Sequence, residues 1–258
     1  MSSKYQTETP SIFRRMLDDY LWHTNPKERI YAWGKANMDV YQAAYESARA
    51  NRQRPPSVVA YVMRCLGKVL DEQKHLLSAK YGRKWLVPKN VDIALVMESK
   101  MPDDTWLPWY WVFERMEEKE ARIIEDELIR AAKQLRRKPV KMPHGTKVFL
   151  SLPQAIRWIL YRLLRPFTRR YLAEVQTKIG VTSLTHVSKR DGYGQSPSLF
   201  TLQIVIGVLH KSEVGWQLNL AFSANHQIMD GIDFTKFMES LGNELESGRC
   251  LEEFVKGT

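Results

Sequence analysis

Cysteines and long apolar runs are both scarce in this sequence. Only Cys65 and Cys250 occur among its 258 residues, too few for a disulfide framework or a cysteine-rich zinc site. No run of about 18 apolar residues occurs, so the sequence predicts no helix that crosses a membrane. No basic stretch followed by an apolar segment of the secretory type opens the chain. We therefore expect a cytoplasmic protein in a reducing compartment.

The 29 acidic residues are also outnumbered by 39 lysines and arginines, so the formal net charge is +10. Part of the excess lies between Arg130 and Arg170. Three explanations remain open, namely a solvated basic face, attraction of a polyanionic ligand, and contact with nucleic acid or an anionic membrane. No recognisable nucleic-acid-binding module accompanies the charge, and no Gly-rich phosphate loop or dinucleotide fingerprint is present. We therefore expect no nucleic-acid partner.

Apolar and aromatic residues are abundant enough for one large folded domain. Hydrophobic residues make up 44% of the chain, which includes 8 Trp, 11 Tyr and 9 Phe. Helices mixed among strands, followed by a run of strands, predict a single α+β domain. We expect an N-terminal arm over residues 1–36 and the domain over residues 37–258, beginning with a short strand at 37–40.

Apolar spacing predicts the main elements along the chain. Residues 57–73 form one apolar stripe and predict a buried helix, while the apolar run at 90–97 predicts a central strand. The remaining predicted elements are a long helix at 113–137, a helical region at 152–177 interrupted at Pro166, strands at 180–185, 199–209 and 216–223, and a helix after residue 231.

Two segments have more than one interpretation. The helical region 152–177 combines leucines and isoleucines with arginines, so it either packs on the domain or a partner, or lies on an anionic membrane surface. The aromatic cluster from Trp106 to Trp111 either lines an apolar substrate channel or forms a packed loop or subunit contact.

The C-terminal third contains a His-x-x-x-Asp-Gly element, from His226 to Gly231. The preceding residues alternate between apolar and polar, as in a half-buried strand, and the following apolar residues recur at helical spacing. The motif therefore places an imidazole at a strand-to-helix turn, where sheet proteins often carry chemistry. Alternatively, the His packs in the turn and Asp230 only caps the helix.

This strand, motif and helix resemble the catalytic end of the chloramphenicol acetyltransferase-like fold. They are most similar to the acyltransferase core of 2-oxoacid dehydrogenase complexes, and a second local match is Val181-Thr182-Ser183-Leu184. The resemblance implies an α+β fold with a chloramphenicol acetyltransferase-like mixed sheet, flanking helices and one lobe per chain. Asn225 and Gln227 depart from the family, which usually has Asp and Arg beside the His.

The resemblance also implies a reaction. His226 would act as the general base on the thiol of coenzyme A or of a lipoyl group, and the thiolate would attack a thioester. A hydroxyl on the Ser183 strand would stabilise the oxyanion, and Asp230 would support the turn. Residue type favours Ser183 as this donor, whereas alignment on the following leucine favours Thr182.

In the resembled family the two groups come from adjacent subunits of a trimer. The resemblance thus implies a homotrimer, within a larger assembly or alone, that binds acyl-coenzyme A. The sequence contains neither a lipoyl domain nor an Ala- and Pro-rich linker, so we expect a lipoyl domain on another chain or a small-molecule acceptor. The main alternative is a catalytically inactive trimeric scaffold or partner-binding module of the same fold, and a third is a peripheral membrane protein.

Overall fold

Six strands form one mixed sheet in the order β1-β8-β7-β6-β4-β5. The computed structural model describes residues 28–101, 106–137, 144–185, 190–195 and 198–255. Strand β6 is parallel to both β4 and β7, and the other pairs are antiparallel. The strands of this sheet are β1 (Arg29–Asn37), β4 (Ile93–Lys100), β5 (Trp106–Phe113), β6 (Ile179–Ser183), β7 (Leu202–Ser212) and β8 (Gly215–Asn225).

Helices flank this sheet, and a small hairpin stands apart from it. The hairpin consists of β2 (Ala79–Tyr81) and β3 (Lys84–Leu86). The helices are α1 (Asp39–Ala50), α2 (Val58–Asp71), α3 (Ala121–Arg137), α4 (His144–Ser151), α5 (Gln154–Gln176), α6 (Gly231–Ser247) and α7 (Glu252–Val255), with short 3-10 turns at Lys74–Leu77, Met116–Glu118 and Arg249–Leu251. This mixed sheet with flanking helices confirms the predicted fold class.

The main core lies between one face of the sheet and helices α2, α3 and α6. Alternate strand residues such as Ile179, Val181, Phe222 and Ala224 point into it, as strand geometry requires. Helix α2 is the most buried of these helices, with ten of its 14 residues buried. Its predicted position is confirmed by the structure, and Ser57 caps its first turn by accepting a hydrogen bond from the Ala60 N–H at 3.2 Å.

The opposite face of the sheet carries a smaller cluster, formed by Ala94, Val175, Leu199 and Phe200. Gly180 lies under the Phe200 ring, where a Cβ would come within 2.4 Å of the ring. At the β1 edge of this face Tyr31 and Trp33 are exposed. The sheet therefore has one face covered by helices and one face covered only in part by the described residues.

Strand β1 begins eight residues before the predicted domain boundary. Residues 29–37 pair with β8, so the boundary between residues 36 and 37 falls at the end of a strand of the sheet. The predicted short strand at 37–40 is wrong, because Asp39 starts helix α1. Residues 1–27 of the predicted arm lie outside the described residues.

Two further helix predictions need correction. The segment beginning at Phe113 is not helical, since β5 ends there and helix α3 begins only at Ala121. Helix α5 runs through Pro166 without interruption. The proline removes one backbone hydrogen bond, but its neighbourhood on the helix is exposed, so the carbonyl group that loses this bond is open to solvent. Among the described residues, no helix is long and apolar enough to cross a membrane.

Candidate active site

His226 begins the turn that follows strand β8. Its backbone N–H donates to the Glu28 carbonyl at 3.1 Å, which ties the turn to the start of β1. The N–H groups of Ile228 and Met229 both donate to the Asn225 carbonyl, at 3.0 and 3.1 Å. Ile228 and Met229 are buried, whereas the His226 side chain is exposed. The turn is therefore fixed on its inner side and presents the imidazole outward.

Asp230 caps the helix that follows the turn. Its Oδ1 accepts hydrogen bonds from the N–H groups of Ile232 and Asp233, at 2.8 and 2.9 Å. The negative charge also lies at the positive end of the helix dipole. Asp230 therefore holds the junction between the His226 turn and α6.

Arg29 fixes the strand end beside His226, and sequence reasoning missed it. The guanidinium donates to the Phe200 carbonyl at 2.9 Å and to the carbonyl and hydroxyl oxygens of Ser223, both at 2.8 Å. Burial lowers the pKa of Arg29 to about 10, although the nearby Tyr31 raises it slightly, so the side chain stays positive at neutral pH. The signal in the sequence is the run of apolar and aromatic residues from Ile30 to Trp33, which is typical of a strand, in a segment expected to be an arm.

Thr182 and Ser183 lie on opposite faces of the sheet. Ser183 has the same orientation as Ile179 and Val181, whose side chains enter the main core. Its hydroxyl lies 2.7 Å from the hydroxyl of Thr185. Thr182 has the orientation of Gly180 and so faces the side of the smaller cluster. The two registers left open by the sequence thus place the hydroxyl on two different sides of the molecule.

The structure does not bring His226 together with either hydroxyl within one chain. Ser183 pairs with Ile206, Ile206 pairs with Leu220, and His226 lies six residues beyond Leu220. At about 3.3 Å per residue along a strand and about 4.8 Å between strands, His226 and Ser183 lie roughly 20 Å apart. Direct hydrogen bonds to one reacting carbonyl require both groups within about 3 Å of the substrate. One chain alone therefore does not assemble the predicted pair of groups.

The remaining sequence candidates are placed as follows. The cluster from Trp106 to Trp111 lies on the edge strand β5, where Trp106 is exposed and Trp111 packs against the main core. A groove of about 510 Å³ lies beside α6 and includes none of the four predicted catalytic residues. It is lined by Gln73, His75, Leu76, Asp233, Lys236, Glu239, Ser240 and Asn243. Among the described residues, no cluster of three or more His, Cys, Asp or Glu side chains suits a metal ion.

Comparison with known proteins gives a clear result only at the level of structure. No protein-family model and no curated protein matches the chain. A truncated catalytic core of the 2-oxoacid dehydrogenase multienzyme complex from Thermoplasma acidophilum matches with a TM-score of 0.68 and 15% identity, over 95% of this chain and 100% of that one. A dihydrolipoamide acetyltransferase from Azotobacter vinelandii matches with a TM-score of 0.67 and 14% identity, over 97% and 96% of the two chains.

Chloramphenicol acetyltransferase is a more distant match. It aligns with a TM-score of 0.52 and 10% identity, over 93% of this chain and 100% of that one. The sequence resemblance and the structural matches therefore agree on the architecture. The chain has the chloramphenicol acetyltransferase-like fold, in a form similar to the acyltransferase cores of 2-oxoacid dehydrogenase complexes.

Proposed function

We propose that this protein is a coenzyme A-dependent acyltransferase that moves an acyl group between coenzyme A and a second thiol of the lipoyl type, or a small-molecule acceptor. One observation carries the proposal: an exposed His226 is held at the end of a sheet strand by the Glu28 carbonyl and by the turn bonds to Asn225. The fold that contains this imidazole is similar to the folds of acyltransferases.

The proposed reaction begins at the His226 imidazole, which acts as the general base. A ring nitrogen of His226 takes the proton from the attacking thiol, and the thiolate forms a bond to the thioester carbonyl carbon. The carbonyl oxygen becomes an oxyanion, which accepts a hydrogen bond from a hydroxyl donor. Collapse of this intermediate breaks the original C–S bond, and the leaving thiolate recovers the proton from the imidazolium. General-base assistance of this kind contributes about 10²–10⁴-fold.

The hydroxyl donor in this scheme is Thr182 or Ser183 of a second copy of the chain. The separation of roughly 20 Å within one chain, from strand geometry, motivates this step. The Azotobacter vinelandii structure addresses the catalytic role of a serine, a histidine and an asparagine, and the asparagine follows the histidine by four residues, as Asp230 follows His226.

The proposed assembly is a homotrimer, alone or within a larger particle. A related structure is the cubic core of the pyruvate dehydrogenase multienzyme complex. We propose that the acceptor thiol is carried by a lipoyl domain on another chain or by a small molecule, and that the protein works in the cytoplasm.

A matched pair of histidine variants tests the activity. We expect His226→Ala to lower acyl transfer from acetyl-coenzyme A to dihydrolipoamide by about 100-fold or more, because the general base is lost. His75→Ala is the control, since His75 is also exposed but lines the groove beside α6. Equal activity of His226→Ala and the wild type, at equal melting temperature, would show that the proposal is wrong.

A second candidate, an inactive scaffold of the same fold, is favoured by one observation. Among the described residues, the His226 imidazole has no hydrogen-bond partner that would select its tautomer. We distinguish this candidate by testing acyl-coenzyme A as a stabilising ligand. A wild-type protein whose melting temperature does not rise with acyl-coenzyme A, and which transfers no acyl group, supports the scaffold.

A further inference from the structure

Helix α5 presents an apolar row to the solvent. The row consists of Ile156, Ile159, Leu163, Phe167 and Tyr171, which are three or four residues apart and so share one face of the helix. All five are exposed, and Phe167 retains 84% and Leu163 63% of their accessible surface. The buried residues of α5 are only Arg157, Ala173 and Val175, so most of this 23-residue helix is not used to build the core.

The same helix carries uncompensated positive charge. Arg162, Arg165 and Arg169, here called the arginine row, also follow helical spacing, and they occupy a different face of α5 from the apolar row. Among the described residues, no member of the arginine row is paired with a carboxylate. The helix has five arginines against one glutamate, Glu174, and that carboxylate is bound to Arg170 at 3.0 Å.

A second element with the same chemistry packs against α5. The hairpin of β2 and β3 contacts α5 through β2, and it exposes Tyr81 and Trp85. Its basic residues are Lys80, Arg83 and Lys84, all of them exposed. The hairpin is separated from α5 by more than sixty residues of sequence, so it is an independent element with the same combination of aromatic and basic side chains.

We infer that α5 and this hairpin form a docking surface for an anionic lipid bilayer, with α5 lying in the plane of the membrane surface. An apolar face opposite an arginine-rich face is the pattern of helices that bury one side at the boundary between headgroups and acyl chains. Tyr and Trp are favoured at that depth, and each Lys or Arg near an anionic surface adds electrostatic attraction.

Charge decides between a bilayer and a second copy of the chain as the occupant. A second copy joined through the apolar row would carry its own α5 of formal charge +4, since each helix has five arginines and one glutamate. The arginine rows would lie on the faces turned away from that contact and would gain no counter-charge from it. An anionic bilayer instead lowers the free energy of every unpaired arginine while covering the apolar row.

Vesicle co-sedimentation with the full chain tests this inference. Vesicles of phosphatidylcholine alone are compared with vesicles containing 30% phosphatidylglycerol, a composition chosen on the order of natural anionic leaflets. We expect binding to the anionic vesicles only. The double variant Leu163→Ser/Phe167→Ser should bind about tenfold more weakly, because two apolar side chains no longer enter the bilayer.

Two further variants separate the contributions, each with its control. Arg162→Glu/Arg165→Glu/Arg169→Glu should weaken binding by about tenfold or more, whereas Lys236→Glu on α6 should not. Trp85→Ser should weaken binding by about threefold. The control for lost apolar surface is Val214→Ser, because Val214 is 72% exposed but lies in the β7–β8 turn.

Three outcomes would overturn the inference. The first is the absence of binding to anionic vesicles. The second is binding that survives Leu163→Ser/Phe167→Ser, which would show that the apolar row does not enter the bilayer. The third is a fall in molar mass in solution caused by the same double variant, which would show that a second copy covers the row.

Discussion

Helices α2 and α5 both have an apolar stripe in the sequence, yet the structure uses them in opposite ways. Ten of the 14 residues of α2 are buried, against three of the 23 residues of α5. The apolar stripe of α2 lies in the main core, where α3 and α6 also pack against the sheet. The apolar row of α5 faces solvent. Apolar spacing therefore predicts a helix in both cases, but it does not determine what covers the helix.

Polar contacts reinforce this difference. On α2, the Tyr61 hydroxyl donates to the Leu245 carbonyl at 2.6 Å, and the Lys68 ammonium lies 2.9 Å from the Glu244 carboxylate. Burial raises the pKa of Tyr61 well above its ordinary range, so the hydroxyl remains a donor. Both partners lie on α6, the helix that Asp230 caps. Thus α2 is locked to the helix that follows the His226 turn.

The largest difference in stability between the two helices should appear when one leucine in each apolar stripe is replaced by alanine. Leu66→Ala on α2 should lower the free energy of unfolding by about 2–5 kcal/mol, because it leaves a cavity in the core. Leu163→Ala on α5 should change it by less than about 0.5 kcal/mol, since the side chain is already in water. Urea unfolding of both variants measures the difference. Similar losses would show that α5 is covered in solution.

A smaller difference in stability should appear when a glutamate that contacts α2 and a glutamate on α5 are each replaced by glutamine. Burial alone would raise the pKa of Glu244, but hydrogen bonds from Lys68 and Cys250 and the charges of Lys68 and Arg249 hold it below its ordinary value. Glu244→Gln should therefore cost roughly 1–3 kcal/mol at neutral pH. Glu174→Gln, which breaks the exposed pair with Arg170, should cause no measurable change.

The pH dependence of this carboxylate has a definite sign. A lowered pKa in the folded state stabilises the protein above the unfolded-state pKa of about 4.3, and the stabilisation is lost as the pH falls through the folded-state value. The stability difference between the wild type and Glu244→Gln should therefore shrink below about pH 4. A difference that grows on acidification would contradict the lowered pKa.

Local patterns in the sequence predicted the fold class, the buried helix α2 and the His226 turn. Each depends on a short window, such as the alternation before Asn225 and the cap at Asp230. Strand β1 was missed because its partner, β8, lies almost two hundred residues away, and Arg29 was missed with it. Strand β5 ends in consecutive aromatic and apolar residues, whose spacing alone is typical of neither a strand nor a helix. The sequence therefore did not show where this strand ends, and the start of α3 was placed too early.

No short stretch of sequence shows that the two predicted catalytic groups, the His226 imidazole and the hydroxyl of Thr182 or Ser183, lie far apart in one chain. This separation depends on the order of β6, β7 and β8 and on which ends of those strands carry His226 and Ser183. The roles of His226, Thr182 and Ser183 in acyl transfer remain predictions. What the structure adds is a physical reason to look for the complete site between two copies of the chain.

Co-expression of two inactive variants tests that site most directly. His226→Ala keeps both hydroxyls, and Thr182→Val/Ser183→Ala keeps the imidazole, so each variant alone should retain only a small fraction of the wild-type acyl transfer. In mixed forms of the proposed trimer, about a quarter of the sites should join an intact His226 from one copy to intact hydroxyls from its neighbour. We therefore expect about a quarter of the wild-type acyl transfer from acetyl-coenzyme A in the mixture. A mixture as inactive as either variant alone, with mixed trimers verified by differently tagged chains, would contradict a shared active site.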